Sequence, residues 1–123
     1  IRAGAGLVLA GLVAEGVTVF VGSDNIRDAW SPYGNGDMLE RARLVGYRAA
    51  LLTDEELRLA LSLVTAAPAQ VMGLPAPRLE EGAPADLVVL RAAHAMEAVA
   101  AAPPREIVVK AGRIVARQGS LVA

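Results

Sequence analysis

The run Val17-Thr18-Val19-Phe20-Val21-Gly22-Ser23-Asp24 decides the fold. Five successive β-branched or aromatic residues predict a strand buried on both faces, as in a parallel sheet covered by helices. Gly22 and Ser23 end the run, and Asp24 follows at its C-terminal tip, just before a polar, turn-rich stretch at 25–37. Strand tips are where α/β proteins place their chemistry. Asp24 is therefore the first candidate site residue, as a metal ligand or a proton shuttle.

Outward from this strand, the neighbouring segments have the rhythm of an α/β protein. Before it, Leu9, Leu12 and Val13 recur at helical spacing and Gly16 is a helix stop. After it, Ser31-Pro32 and Gly34-Asn35-Gly36 mark a loop. A helix is expected from Met38, with Leu39, Ala42, Leu44, Val45, Ala49 and Leu52 as its apolar set. Thr53 and Glu56 have the spacing of a capping box, so a second helix should follow and bury Leu57, Leu61 and Val64. Thr65 reads as another cap, opening a short helix with Ala69, Val71 and Met72 that stops at Gly73.

Pro75 and Pro77 mark a change of texture. Residues 85–90 read as a strand and the Ala-rich stretch 92–102 as a loose helix or loop. Residues 106–110 and 113–116 read as two strands joined by the hairpin turn Ala111-Gly112. Gly119-Ser120 signals a further turn. Neither piece closes by itself: one buried strand makes no parallel sheet, and three short strands leave open edges.

Composition narrows the function. The chain has 123 residues, 54% of them hydrophobic and 3% aromatic, with a formal net charge of -1. Its basic residues are scattered, which argues against a grip on nucleic acid or on an anionic membrane surface. The absence of cysteine removes disulfides and thiolate chemistry and fits a cytoplasmic location. The chain opens with Ile1, as a processed or incomplete product would, and no leader pattern follows Arg2. The longest apolar stretch, 3–14, is shorter than the ~20 residues of a membrane span.

Several motifs have competing readings. Gly4-Ala5-Gly6 suggests a dinucleotide loop, but Leu9 stands where a third glycine is needed and no strand precedes it, so close helix packing is the better account. The stretch Ser23-Asp24-Asn25-Ile26-Arg27-Asp28-Ala29-Trp30 gathers two carboxylates, an amide, an arginine and the single tryptophan. It reads either as a capping aspartate with Trp30 anchoring the loop, or as a site in which Trp30 stacks on a planar ring. A catalytic zinc takes three protein ligands, and no His or Cys set supplies them here. His94 is read as a surface residue. With no histidine base near Ser23, Thr53 or Thr65, a Ser-His-Asp triad lacks its parts.

The segment Gly22-Ser23-Asp24-Asn25-Ile26-Arg27-Asp28-Ala29-Trp30-Ser31-Pro32-Tyr33-Gly34 resembles the stretch after the eighth strand of the amidohydrolase superfamily, in its cytosine-deaminase-like branch. Ala29 replaces that pattern's usual proline, and Met38-Leu39 supply its helix start. The stretch from Thr65 to Gly73-Leu74 resembles the family's last barrel helix. Gly82-Ala83-Pro84-Ala85-Asp86-Leu87 resembles its Gly-x-x-Ala-Asp-Leu signature, and Val109 to Val115 its closing hairpin.

The resemblance implies an α/β chain that is the C-terminal part of a (β/α)8 TIM barrel, with residues 1–76 in the barrel and 77–123 supplying strands of a small β-sandwich. It implies a fragment or a degenerate homologue, since the family's His-x-His is absent. For the intact protein it implies a metal-dependent aminohydrolase that deaminates a cyclic amidine, a heteroaromatic base such as cytosine. One divalent ion, Zn or Fe, would activate water. The alternatives are a deaminase or N-alkyl hydrolase for a pterin, triazine or related ring, and, in another class, a non-catalytic packing module. Asp24 would be metal ligand and proton shuttle, Asn25 would bind substrate, and Trp30 would pack on the ring. Arg27 and Asp28 would pair locally. The expected partners are a small heterocycle and further copies in a homo-oligomer, with no nucleic acid and no membrane. This chain by itself should be inactive and bind metal weakly.

Overall fold

A computed structural model describes residues 5–122. The sequence readings that fall on Ile1, Arg2 and Gly4 lie outside the described residues.

Helix α1 (Ala5–Ala14) ends two residues before Gly16, which adopts φ 79°. The stretch 17–24 follows. It belongs to neither a ladder nor a helix, so the strand expected at 17–21 has no hydrogen-bonded neighbour among the described residues. Its described main-chain contacts are the Val17 N–H donating to the Leu12 carbonyl at 2.9 Å and the Val21 N–H donating to the Leu63 carbonyl at 2.8 Å. The physical reason is topological. A doubly buried strand needs strands on both sides, and the later strands of this chain pair only with one another. Val17 and Phe20, apolar enough for a core, are accordingly about half exposed.

Helix α2 (Met38–Ala49) starts at Asp37, whose carboxylate accepts the N–H groups of Leu39 at 2.9 Å and Glu40 at 3.0 Å. Helix α3 (Asp54–Ser62) opens with the predicted capping box. Glu56 N–H donates to the Thr53 hydroxyl, and the Glu56 carboxylate accepts the Thr53 N–H. The core is small and alanine-rich: Ala42, Ala49, Leu51, Ala60, Val64 and Val99, with Leu57 and Leu61 partly buried against it. In α4 (Ala66–Val71) the expected Thr65 cap does not form, because its hydroxyl donates to the Leu61 carbonyl instead. Ala69 is buried there, whereas Val71 and Met72 are exposed.

Four antiparallel strands form a meander in the order β1 (Leu87–Leu90), β2 (Arg105–Lys110), β3 (Arg113–Arg117) and β4 (Ser120–Leu121). Ala111 (φ 49°) and Gly112 (φ 75°) are both left-handed between the paired Lys110 and Arg113. This is the two-residue hairpin geometry whose twist matches that of the strands. Gln118 (φ 48°) and Gly119 (φ 79°) repeat it between Arg117 and Ser120, adding a fourth strand to the three expected. The Ala-rich stretch is a regular helix, α5 (Ala95–Ala101), which packs on α2 and α3 through Ala98 and Val99. Arg105 of β2 pairs with Asp37 and so ties the sheet to the N-terminus of α2.

Candidate active-site loop

Asp24 sits at the end of the unpaired apolar stretch, exposed and in the left-handed region at φ 53°. Aspartate is among the few non-glycine residues that tolerate this conformation. Its carboxylate has no hydrogen-bond or ionic partner among the described residues.

The loop beyond it is organised by Asp28. One carboxylate oxygen, Oδ1, accepts the Trp30 N–H at 2.9 Å and the Ser31 N–H at 3.1 Å. The other, Oδ2, accepts from the side-chain Nδ2 of Asn25 at 2.6 Å. The loop is closed by the Arg27 N–H donating to the Tyr33 carbonyl at 3.0 Å, and by the Asp28 N–H donating to the Ser31 carbonyl at 2.9 Å. Donation by the Asn25 amide, and then by the Trp30 N–H, holds the Asp28 carboxyl below its ordinary range. The expected Arg27–Asp28 pair does not form, since backbone N–H groups and an amide already satisfy this carboxylate.

Trp30 is 84% exposed, so its indole does not pin the loop within this chain. Asp28 holds its main chain and leaves the ring presented outward. Asn25 and Trp30 are thus brought together through one carboxylate. Asp24 is joined to them by sequence adjacency alone. A groove of about 810 Å³ opens elsewhere, lined by Met38, Leu61, Val64, Val88 and Val108 and not by Asp24, Asn25 or Trp30. It is a gap between helices and sheet rather than a candidate site.

The donor set does not make a metal centre. No group of three His, Asp or Glu side chains converges among the described residues, and Asp24 stands without a second ligand. His94 is exposed, as expected, and its Nδ1 accepts the Glu97 N–H at 3.2 Å, which makes it the N-cap of α5. Sequence reasoning gave Asp28 a loop-ordering role but with Arg27 as its partner rather than Asn25 and the Trp30 and Ser31 N–H groups, and it missed Asp37 as a helix cap. The cap was detectable, because Asp37 and Glu40 have capping-box spacing. The correct partners of Asp28 had no sequence signal beyond its place in a turn-rich stretch.

Residues 5–116 match the amidohydrolase family. N-isopropylammelide isopropyl amidohydrolase of Pseudomonas sp. (strain ADP) is 37% identical over 113 residues, which are 91% of this chain and 28% of that protein. The crystal structure of N-isopropylammelide isopropylaminohydrolase from Burkholderia multivorans superposes with a TM-score of 0.87 at 46% identity, covering 93% of this chain and 29% of the other. That of 5-methylcytosine deaminase from Klebsiella pneumoniae superposes with a TM-score of 0.79 at 28% identity, covering 94% and 28%. The chain thus spans less than a third of the length of these relatives. No helix among the described residues is long and apolar enough to cross a membrane. On the family match along most of its length, this chain belongs to the amidohydrolase family.

Proposed function

We propose that the intact protein carrying these residues hydrolyses an exocyclic carbon–nitrogen bond on a nitrogen heterocycle. The observation that carries this reading is the Asp24-Asn25 pair at the end of the apolar stretch 17–21, near an outward-facing Trp30, in a chain 46% identical to an isopropylaminohydrolase. That identity, set against 28% for the 5-methylcytosine deaminase, favours release of an alkylamine over release of ammonia from a base such as cytosine.

In this reading Asp24 accepts the proton of the attacking water while the water oxygen bonds to the ring carbon. It then delivers that proton to the departing nitrogen as the carbon–nitrogen bond breaks. A carboxylate serves both steps because the nitrogen becomes more basic as it leaves the ring. Trp30 covers the ring face, and Asn25 hydrogen-bonds the ring edge. Asp24 would also be one donor to a divalent ion, Zn or Fe, whose other ligands lie outside these residues. The same reading assigns residues 1–76 to the last part of a (β/α)8 barrel and 77–123 to a small β-sandwich, in a cytoplasmic homo-oligomer.

The test is to supply the intact protein with N-isopropylammelide and, separately, with 5-methylcytosine. Isopropylamine from the first is the expected product. Ammonia from the second alone would favour the deaminase alternative. Release of neither, with no ammonia from a pterin either, would contradict the hydrolase reading and leave a packing module.

A further inference from the structure

The Asn25–Asp28 contact has a chemical polarity. An ionised carboxylate accepts hydrogen bonds and has no hydrogen to donate, so only the NH2 end of the Asn25 amide can face it. Asp28 cannot turn to offer anything else, because its Oδ1 is already occupied by the N–H groups of Trp30 and Ser31. The Asn25 carbonyl oxygen is left with no partner among the described residues, next in sequence to Asp24.

We propose that Asp28 is a positioning residue that fixes the Asn25 amide with its oxygen toward the ligand, so that the site selects rings presenting an N–H, rather than a bare ring nitrogen, beside the reacting carbon. This rests on the reading of Asn25 as a ligand contact. It makes a specific claim about Asp28→Asn. There the retained oxygen stays with the two backbone N–H groups, and the new NH2 replaces Oδ2 opposite Asn25. The Asn25 amide must then turn its oxygen inward and offer its NH2 to the ligand, donor against donor.

The experiment measures kcat and KM of the intact protein toward N-isopropylammelide for Asp28→Asn, Asn25→Leu and the double variant. Each single change is expected to raise KM by about tenfold, the size of one lost or opposed hydrogen bond, with kcat within about threefold. The double variant should be no worse than Asn25→Leu alone, because Asp28 acts through Asn25. Losses that multiply in the double variant would show a merely structural role and overturn the proposal. Asp24→Asn, read through kcat, tests the hydrolase reading separately. If N-isopropylammelide is not turned over, or if Asp28→Asn fails to fold, the unmodified ligand-free protein still decides through its ¹⁵N-asparagine spectrum. One side-chain amide proton of Asn25 displaced downfield by its carboxylate partner supports the pairing. Both protons at ordinary positions overturn it.

Discussion

At the scale of single residues, what distinguishes this chain is a division of labour among aspartates. Asp24 is exposed and without a partner among the described residues, whereas Asp28, Asp37 and Asp86 are each engaged by backbone N–H groups or cations. An unengaged carboxylate in a left-handed conformation has a freedom that a structural aspartate lacks. Trp30 shows the same logic, since its main chain is held and its ring is not. Trp30→Ala in the intact protein should raise KM for N-isopropylammelide by about three- to tenfold, as for loss of a stacking contact, with Tm unchanged because the ring is 84% exposed here. A fall in Tm with KM unaltered would make Trp30 an anchor. The candidate residues were legible from their position at the end of an apolar run. Their geometry was not, because hydrogen bonds within a loop depend on φ values that side-chain pattern does not encode.

At the scale of elements, several local signals were read correctly, although the Thr65 cap does not form and the Asp37 cap was missed. The Thr53 capping box, the Gly16 stop and the Ala111-Gly112 hairpin depend on residues within a few positions of one another. Asp86 of the Ala-Asp-Leu signature shows what such reading misses. Its carboxylate reaches across the sheet, accepts the Ala111 N–H at 2.7 Å and pairs with Lys110, clamping the hairpin turn. The Ala111 N–H first, and Lys110 second, hold the Asp86 carboxyl below its ordinary value of 3.8. A carboxyl depressed in the folded state stabilises it fully above the unfolded value and loses that contribution as pH falls through the lowered one. The Tm difference between the intact protein and its Asp86→Asn variant should therefore be present at about pH 6 and close by about pH 2. A gap constant across that range would place the effect in packing rather than charge.

At the scale of the whole molecule, surface is the deciding quantity. The chain exposes 8746 Å². A compact monomer of 12.7 kDa is expected to expose about 6,200 Å². The excess includes apolar side chains with strand-forming character, Val17, Phe20, Val88 and Val89 among them. That is why the sequence pattern at 17–21 announced a buried strand and the structure shows none paired. Residue types record the environment in which a segment works, and in the proposed reading part of that environment is the remainder of a barrel, consistent with a chain that covers 28–29% of its relatives. The same reading accounts for a loop with an unpaired carboxylate and an outward-facing tryptophan but no metal-binding set among the described residues. The most direct measurement is kcat for isopropylamine release from N-isopropylammelide by the intact protein and its Asp24→Asn variant, with folding checked by Tm. Proton transfer by Asp24 predicts a loss of about 10²- to 10⁴-fold at unchanged Tm. Turnover within a few-fold of the unmodified protein would contradict it.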